Sequence, residues 1–231
     1  MSELFNLKPV VIAGNQIRAV DARELHAFME VGRVFASWIT DRIEQGCFVE
    51  GKDYKLLANP TLNPAGKNIE VREFFWYGCP HCYRLDPHIE SWLKTKPADV
   101  AFVRTPASLN PVWEGNARGF YAVEMMGLLD KVHVPLFTTI HENQARIFDE
   151  ASLAAFYQRY GVDSAKFKGL YNSFAVSGKV SQSKALAQKY QIEGVPAVVV
   201  NGKYLISGET AKVLQVTDFL VAKERAAQPK K

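Results

Sequence analysis

Residues 69–82 read IEVREFFWYGCPHC and carry the strongest structural signal in the chain. Polar and apolar residues alternate at first and then give way to Phe74-Phe75, which is typical of a strand that enters a core. Pro80 stands where the first turn of a helix tolerates a missing N–H, and residues 82–93 keep one apolar face. We therefore predict a strand that runs directly into a helix, with Cys79 at or just before the helix N-terminus.

The segments that follow complete an α/β pattern. Residues 100–103 predict the next strand, which makes a strand–helix–strand unit with the first. Residues 111–177 show helical spacing throughout and indicate a helical insertion, after which a further helix is predicted over 180–190. Residues 194–206 contain two apolar runs around Asn201-Gly202, which favours a hairpin, and 213–220 indicate a last amphipathic helix.

Composition and charge bound the possible functions. The 231 residues are 48% hydrophobic and 23% charged, which excludes a disordered, collagen-like or coiled-coil chain. No apolar run approaches the roughly 18–20 residues of a membrane helix. A net charge of +4 gives no reason to expect a nucleic acid as the partner. Three cysteines are too few for a disulfide-stapled scaffold.

The pair Cys79-Pro80-His81-Cys82 has three possible roles: half a zinc site, two inert thiols, or a redox couple. Structural zinc needs four ligands, and the chain has no second Cys-x-x-Cys, so we expect no metal. Inert core thiols conflict with the Pro and His between the cysteines and with a strand-to-helix turn, which should expose the first sulfur. A redox couple is the favoured interpretation.

The position of each cysteine predicts its role. A helix N-terminus favours the thiolate of Cys79, which makes Cys79 the predicted nucleophile. Protonated His81 adds a second stabilising charge, so the dithiol form is favoured and the couple is predicted to be an oxidant. Cys82 lies a turn further into the helix, where burial suits the resolving sulfur.

Several motifs resemble the DsbA-type thiol:disulfide oxidoreductases over about residues 49–231. The resemblance lies in Glu73-Phe74-Phe75, Cys79–Tyr83, Tyr171–Phe174, Gly194–Ala197 and Val200–Tyr204. It implies a thioredoxin fold with an inserted helical domain and oxidation of cysteine pairs in newly exported proteins. It also implies a periplasmic monomer that needs no cofactor beyond its own disulfide and is re-oxidised by a membrane quinone-linked partner of the DsbB type.

The resemblance also assigns roles to single residues. Cys79 takes part in the mixed disulfide and Cys82 resolves it, with Pro80 and His81 tuning the couple. Pro196 matches a cis-proline that would turn the Val195 backbone towards the sulfur, where a substrate strand can pair with it. The alternative is a trans proline that simply begins a strand.

Glu73 matches the family's buried acid, which takes or gives the proton of Cys82. The residue lies in the strand that precedes the redox pair, between apolar Val71 and Phe74-Phe75. The alternative for Glu73 is a carboxylate on the protein surface.

The first 54 residues form a different kind of segment, with a net charge of −2 against +6 for the remainder. Gly14-Asn15 predicts the turn of a hairpin, and apolar spacing predicts helices that end at Gly32 and near Gly46. The segment resembles the N-terminal module of AntA-type phage antirepressors, so we expect an antirepressor-like module over 1–48. Its negative charge favours protein contacts, or none, over DNA. The resemblance lies in Val20–His26, Trp38-Ile39, Asp41–Ile43 and Phe48–Tyr54.

The two resemblances overlap in Phe48–Tyr54, which suggests a chimeric chain. Residues 1–47 stand where a signal peptide would be expected, but Glu3 and the short apolar run Val10–Ala13 do not form one, so the sequence as written predicts a cytoplasmic protein. Cys47 is predicted to be an inert free thiol. Two other functions stay open: a regulatory protein that binds through the first module, and a thioredoxin-like reductant.

Overall fold

The computed structural model describes residues 8–12, 15–19, 48–58 and 68–227. The chain divides into two compact units, residues 1–47 and 48–231. In the first unit, β1 (Lys8–Ile12) and β2 (Asn15–Ala19) pair antiparallel with Ile12 opposite Asn15. The predicted hairpin is confirmed, but Asn15 is the first residue of β2 and not part of the turn. The helices predicted before residue 47, and Cys47 itself, lie outside the described residues.

The second unit is built around a mixed sheet whose strand order is β3-β7-β6-β4-β5. Its strands are β3 (Lys55–Leu56), β4 (Ile69–Phe75), β5 (Val100–Pro106), β6 (Ala197–Val200) and β7 (Tyr204–Ser207). Strands β4 and β5 are parallel, as a strand–helix–strand unit requires, and the other pairs are antiparallel. The predicted hairpin at Asn201-Gly202 is confirmed, and both residues take the positive φ that this dipeptide tolerates.

Seven helices are described in this unit, and five of them lie between β5 and β6. They are α1 (Pro80–Leu93), α2 (Pro111–Met125), α3 (Leu129–His141), α4 (Glu150–Gln158), α5 (Ser164–Tyr171), α6 (Phe174–Lys189) and α7 (Lys212–Ala227). Asn110 caps α2 by accepting the N–H of Trp113 at 3.0 Å, as its sequence position indicated. None of the helices within the described ranges has both the length and the apolarity needed to cross a membrane.

Helix α6 differs from the sequence-based prediction, which ended the insertion at residue 177 and began a new helix at Val180. Instead, α6 runs without a break from Phe174. Ser173 caps it by accepting the N–H of Val176 at 3.2 Å, and Val176 and Val180 lie on one buried face. The cap and the shared face join two segments that the sequence pattern separated.

The end of β4 is apolar on both sides because the sheet is covered on both faces. Phe74 packs edge-on against Tyr190 at the end of α6, with ring centroids 6.1 Å apart. Phe75 points the other way and packs against Phe120 of α2 at 5.6 Å. Both phenylalanines are fully buried. The packing of these two rings therefore fixes the position of the segment after β4, which lies between the sheet and the inserted helices.

Candidate active site

Cys79 is the N-cap residue of α1, the position that the sequence predicted. Its sulfur accepts the backbone N–H of Cys82 at 3.4 Å, in the way a capping side chain satisfies a free amide. Cys79 is only 6% exposed, so the expectation that the turn exposes the first sulfur is wrong; Cys82 is fully buried, and both are free thiols. The two sulfurs therefore differ in access to a substrate.

Their acidities differ as well. The Cys79 pKa is lowered to about 6, chiefly by a hydrogen bond from the Cys82 thiol and further by the backbone N–H groups of Cys82 and His81, while burial opposes the shift. Burial and the neighbouring Cys79 sulfur raise the pKa of Cys82 far above its ordinary value. At neutral pH Cys79 is a thiolate and Cys82 a thiol.

His81 contributes less to this acidity than the sequence argument assumed. Its charge is the smallest of the main causes of the lowered Cys79 pKa. The ring is exposed, and its Nδ1 contacts the Glu209 carboxylate, which also accepts hydrogen bonds from Arg84 at 2.5 and 2.9 Å. Hydrogen bonds from His81 and Arg84 lower the pKa of Glu209. The imidazole is engaged by an acid from a distant part of the chain.

The Val195-Pro196 peptide bond is cis, which agrees with the resemblance and excludes the trans alternative. The Cys79 sulfur lies 3.4 Å from the Val195 carbonyl oxygen, to which the protonated thiol can donate, so this loop faces the sulfur. Beside it lies an open cavity of about 500 Å³. Apolar side chains supply much of its lining, including Leu56, Leu57, Ile192, Pro196 and Leu205, and His81, Glu193 and Glu209 are polar members.

Glu73 is 1% exposed, so the surface alternative for this residue is wrong. Burial raises its pKa to about 8, although the positive charge of Arg104 opposes the rise. Arg104 is its neighbour across the β4–β5 register, with Nε 3.5 Å from Glu73 Oε2. Neither of these two atoms makes a hydrogen bond. The carboxyl group is therefore largely protonated at neutral pH.

A group of charged residues surrounds Arg104 beneath α1. The guanidinium donates to Glu90 at 2.6 Å and to Asp86 at 3.4 Å. Asp86, Glu90 and His133 are close enough together to suggest ligands for a metal ion. Arg104 already supplies the positive charge at that place, so the group fits an ion-pair network better than a metal site.

Two histidines of helix α3 form hydrogen bonds with Tyr77, one with its hydroxyl and the other with its backbone carbonyl. The Asp86 carboxylate accepts His133 Nε2–H at 3.1 Å, which leaves Nδ1 to accept the Tyr77 hydroxyl at 2.8 Å. His141 Nε2–H donates to the Tyr77 carbonyl at 2.8 Å, and the His141 ring stacks on Tyr83 with centroids 4.8 Å apart. The inserted helices thereby fix the segment two residues before Cys79.

Trp76 covers Gly78 on the other side of this segment. Its ring stacks on Trp113 with centroids 4.8 Å apart, and its Nε1–H donates to Asn116 at 2.8 Å. A Cβ atom at Gly78 would lie 2.4 Å from the Trp76 ring, so only glycine allows this approach.

Comparison with known proteins agrees with this geometry. A family profile described as the DSBA-like thioredoxin domain matches residues 70–215, more than half of the chain. This chain belongs to the DsbA-like family. The thiol:disulfide interchange protein DsbA of Pseudomonas aeruginosa is 41% identical over 187 residues, which cover 79% of this chain and 89% of that protein. The DsbA of Pseudomonas syringae pv. tomato is 42% identical over 181 residues, 77% and 85% of the two chains.

Solved DsbA structures have the same fold. The crystal structure of P. aeruginosa DsbA superposes with a TM-score of 0.74 at 41% identity, over 78% of this chain and 96% of that one. DsbA from Xylella fastidiosa gives 0.75 at 34% identity, over 79% and 100%. The predicted thioredoxin fold is confirmed, and this DsbA-like chain is a thiol:disulfide oxidoreductase.

A second family profile matches a stretch of the chain that lies partly in each unit. A profile of the AntA/AntB antirepressor matches residues 20–75 and so overlaps the first residues of the DsbA match. Both resemblances read from the sequence are confirmed.

Sequence reasoning missed most residues around the DsbA-type pair, among them Arg84, Asp86, Arg104, His133, His141 and Glu209. Two of them left a detectable signal. Arg104 is a charge within an apolar strand, as Glu73 is, and Asp86 lies seven residues after Cys79, on nearly the same face of α1. Arg84 lies on α1 itself, three residues after His81, whereas His133, His141 and Glu209 become neighbours of the site only through tertiary packing.

Proposed function

We propose that Cys79 and Cys82 are the redox couple of this thiol:disulfide oxidoreductase and that the couple donates its disulfide to cysteine pairs of substrate proteins. The observation that carries the proposal is Cys79 at the N-cap of α1, with a pKa of about 6. A couple whose dithiol form is stabilised in this way readily gives up its disulfide. That property favours an oxidant over a thioredoxin-like reductant.

The reaction proceeds by two exchanges. A substrate thiolate attacks Cys79 of the oxidised enzyme, the Cys79–Cys82 bond breaks, and a mixed disulfide forms while Cys82 leaves with the electron pair and takes up a proton. A second substrate thiolate then attacks the substrate sulfur of the mixed disulfide and releases Cys79 as a thiolate. The substrate loses two electrons and forms one disulfide, and the couple gains the two electrons. A low pKa makes Cys79 the better leaving group.

Glu73 is the proposed partner for the proton of Cys82. It is buried near the resolving cysteine, and its charge is among the causes that raise the Cys82 pKa. With a pKa of about 8, the carboxyl group holds a proton at neutral pH and can give it to the Cys82 sulfur as that sulfur leaves. In the reverse direction, the carboxylate accepts the same proton.

Substrate is proposed to bind as an extended segment along Val195 and Pro196. The Val195 carbonyl lies 3.4 Å from the Cys79 sulfur, so a strand paired there would bring its own cysteine to the couple. The apolar part of the neighbouring cavity suits side chains of many sequences. Pro80 and His81 lie between the two cysteines and complete the site.

The remaining assignments follow from the same family membership. We propose that residues 49–231 act as a monomer in the periplasm, need no cofactor beyond their own disulfide, and are re-oxidised by a membrane quinone-linked partner of the DsbB type. Residues 1–48 are proposed to form a separate antirepressor-like module. Limited proteolysis of the full chain tests this division: first cleavage near residue 48 supports it, and first cleavage within α2–α6 contradicts it.

Oxidation of a reduced two-cysteine peptide by the full chain tests the proposed function. The wild-type protein should form one peptide disulfide per oxidised couple, and Cys79→Ser should form none. Equilibration with glutathione should show a more oxidising couple than that of a thioredoxin measured alongside. Undiminished oxidation by Cys79→Ser would remove Cys79 as the nucleophile, and a thioredoxin-like equilibrium would make the protein a reductant.

A further inference from the structure

Glu209 lies in the loop between β7 and α7 and reaches the first turns of α1. Its Oε2 contacts His81 Nδ1 and accepts Arg84 Nη2–H at 2.5 Å and Nε–H at 2.9 Å. The acid is 128 residues from His81 in sequence, so only the fold brings the two together. One carboxylate oxygen thus contacts both the His81 imidazole and the Arg84 guanidinium beside the redox pair.

The contact with Glu209 determines the hydrogen-bond role of His81 Nδ1. A carboxylate oxygen can only accept, so the contact of His81 Nδ1 with Glu209 Oε2 requires Nδ1 to carry the hydrogen and donate it. Arg84 Nη2, which lies 2.8 Å from Nδ1, has only donors and shares the same acceptor. In the described part of the chain no hydrogen bond joins the His81 ring to the Cys79 sulfur, which instead has Cys82 and Val195 as partners.

The Cys79 thiolate and the Glu209 carboxylate are therefore two anionic acceptors that compete for one imidazole. A thiolate that gained this hydrogen bond would be stabilised, and the dithiol form with it. A carboxylate that holds the imidazole has the opposite effect. The weak contribution of His81 to the acidity of Cys79 agrees with this competition.

We propose that Glu209 is a positioning residue that limits the oxidising strength of the couple, because it holds the His81 ring away from the Cys79 sulfur. The inference rests on the proposed function, since it assigns the regulation of the same couple. The quantity that it changes is the equilibrium between oxidised enzyme plus two glutathione molecules and reduced enzyme plus one glutathione disulfide. Two electrons pass to the enzyme in that reaction; Cys82 takes up one proton, and the other is released to solvent at neutral pH because Cys79 is then a thiolate.

The test measures this equilibrium constant for full-length variants. Glu209→Gln keeps the size of the side chain and removes its charge, and it should raise the constant about two- to fivefold, the range typical of one exposed ion pair. Glu209→Asp should stay close to wild type because the carboxylate is retained. Asp130→Asn removes an exposed carboxylate that does not line the cavity, and it should leave the constant unchanged.

A double-mutant cycle shows whether Glu209 acts through His81. Glu209→Gln should have no effect on the constant in a His81→Ala background. An unchanged or lowered constant for Glu209→Gln would overturn the inference, and so would an equal increase with His81 removed. Failure of the wild-type protein to oxidise a reduced peptide would instead overturn the proposed function, so the two failures are distinguishable. Thermal unfolding of each variant checks that the fold is retained.

Discussion

Replacing Cys82 by alanine should raise the pKa of the Cys79 thiol. The Cys82 thiol is the largest cause of the lowered value, and alanine removes that donor while it keeps the backbone N–H of residue 82 in the cap. A hydrogen bond to a charged group contributes about 1.5–3 kcal/mol, which corresponds to about one to two pKa units. The pKa of Cys79 should therefore move from about 6 to roughly 7–8. Serine retains an O–H donor, so Cys82→Ser should remain closer to 6.

Thiolate absorbance at 240 nm, measured against pH on the reduced proteins, provides the assay. All proteins titrated carry Cys47→Ala, which removes the third thiol of the chain. The titration then reports Cys79, because burial moves the pKa of Cys82 out of the accessible range. Cys79→Ser is the control and should show no titration near pH 6. Equal midpoints for the alanine and serine variants would refute the role of the Cys82 donor. A wild-type midpoint near the ordinary value of 9 would refute the N-cap argument itself.

Three further predictions concern residues around the couple. The pKa of Glu73 is raised from its ordinary value of 4.5 to about 8 in the folded chain. As pH rises, the unfolded chain therefore loses this proton before the folded chain does. The free energy of unfolding should fall by up to about 5 kcal/mol across that pH interval. The free energy of unfolding of Glu73→Gln, measured with urea at several pH values, should lack this part of the pH dependence. The same pH dependence in the variant and the wild type would contradict the raised pKa of Glu73. Tyr77→Phe leaves His133 Nδ1 without its donor and should cost about 1–3 kcal/mol in chemical denaturation. The control Tyr83→Phe removes an exposed hydroxyl and should cost less; equal losses would argue against the buried bond. Gly78→Ala should displace Trp76 from Trp113 and weaken the near-ultraviolet circular dichroism, whereas Gly178→Ala, which meets open space, should leave it intact.

The agreement between sequence and structure is greatest where the cause is local. Alternation that turns apolar at Phe74-Phe75 predicts a strand covered on both faces, and this strand is β4. Pro80 and the apolar face after it place Cys79 at the start of α1. Asn201-Gly202 predicts its turn because both residues tolerate positive φ. Each signal depends on backbone preferences and hydrophobic spacing within a few neighbouring residues.

Local signals also failed where two segments had to be joined. The residues before and after 177 each predict a helix, but the pattern does not show that Ser173 caps one helix that continues to Lys189. Burial of Val176 and Val180 on a common face makes the continuous helix favourable. Packing against the rest of the domain therefore determines where α6 begins, which the hydrophobic spacing in the sequence does not.

The electrostatic surroundings of the couple depend on residues that are distant in sequence. Cys79 and Cys82 and their unequal burial follow from one short motif, but the partner of His81 lies 128 residues away and Arg104 meets Glu73 only through the register of β4 and β5. Capping and periodicity act over one or two helical turns, whereas an ion pair forms wherever packing brings two charges within about 4 Å. The amino-acid order alone therefore predicted which sulfur is the nucleophile. How strongly that sulfur is held as a thiolate, and where the histidine beside it points, were settled by the packing of strands, helices and loops around it.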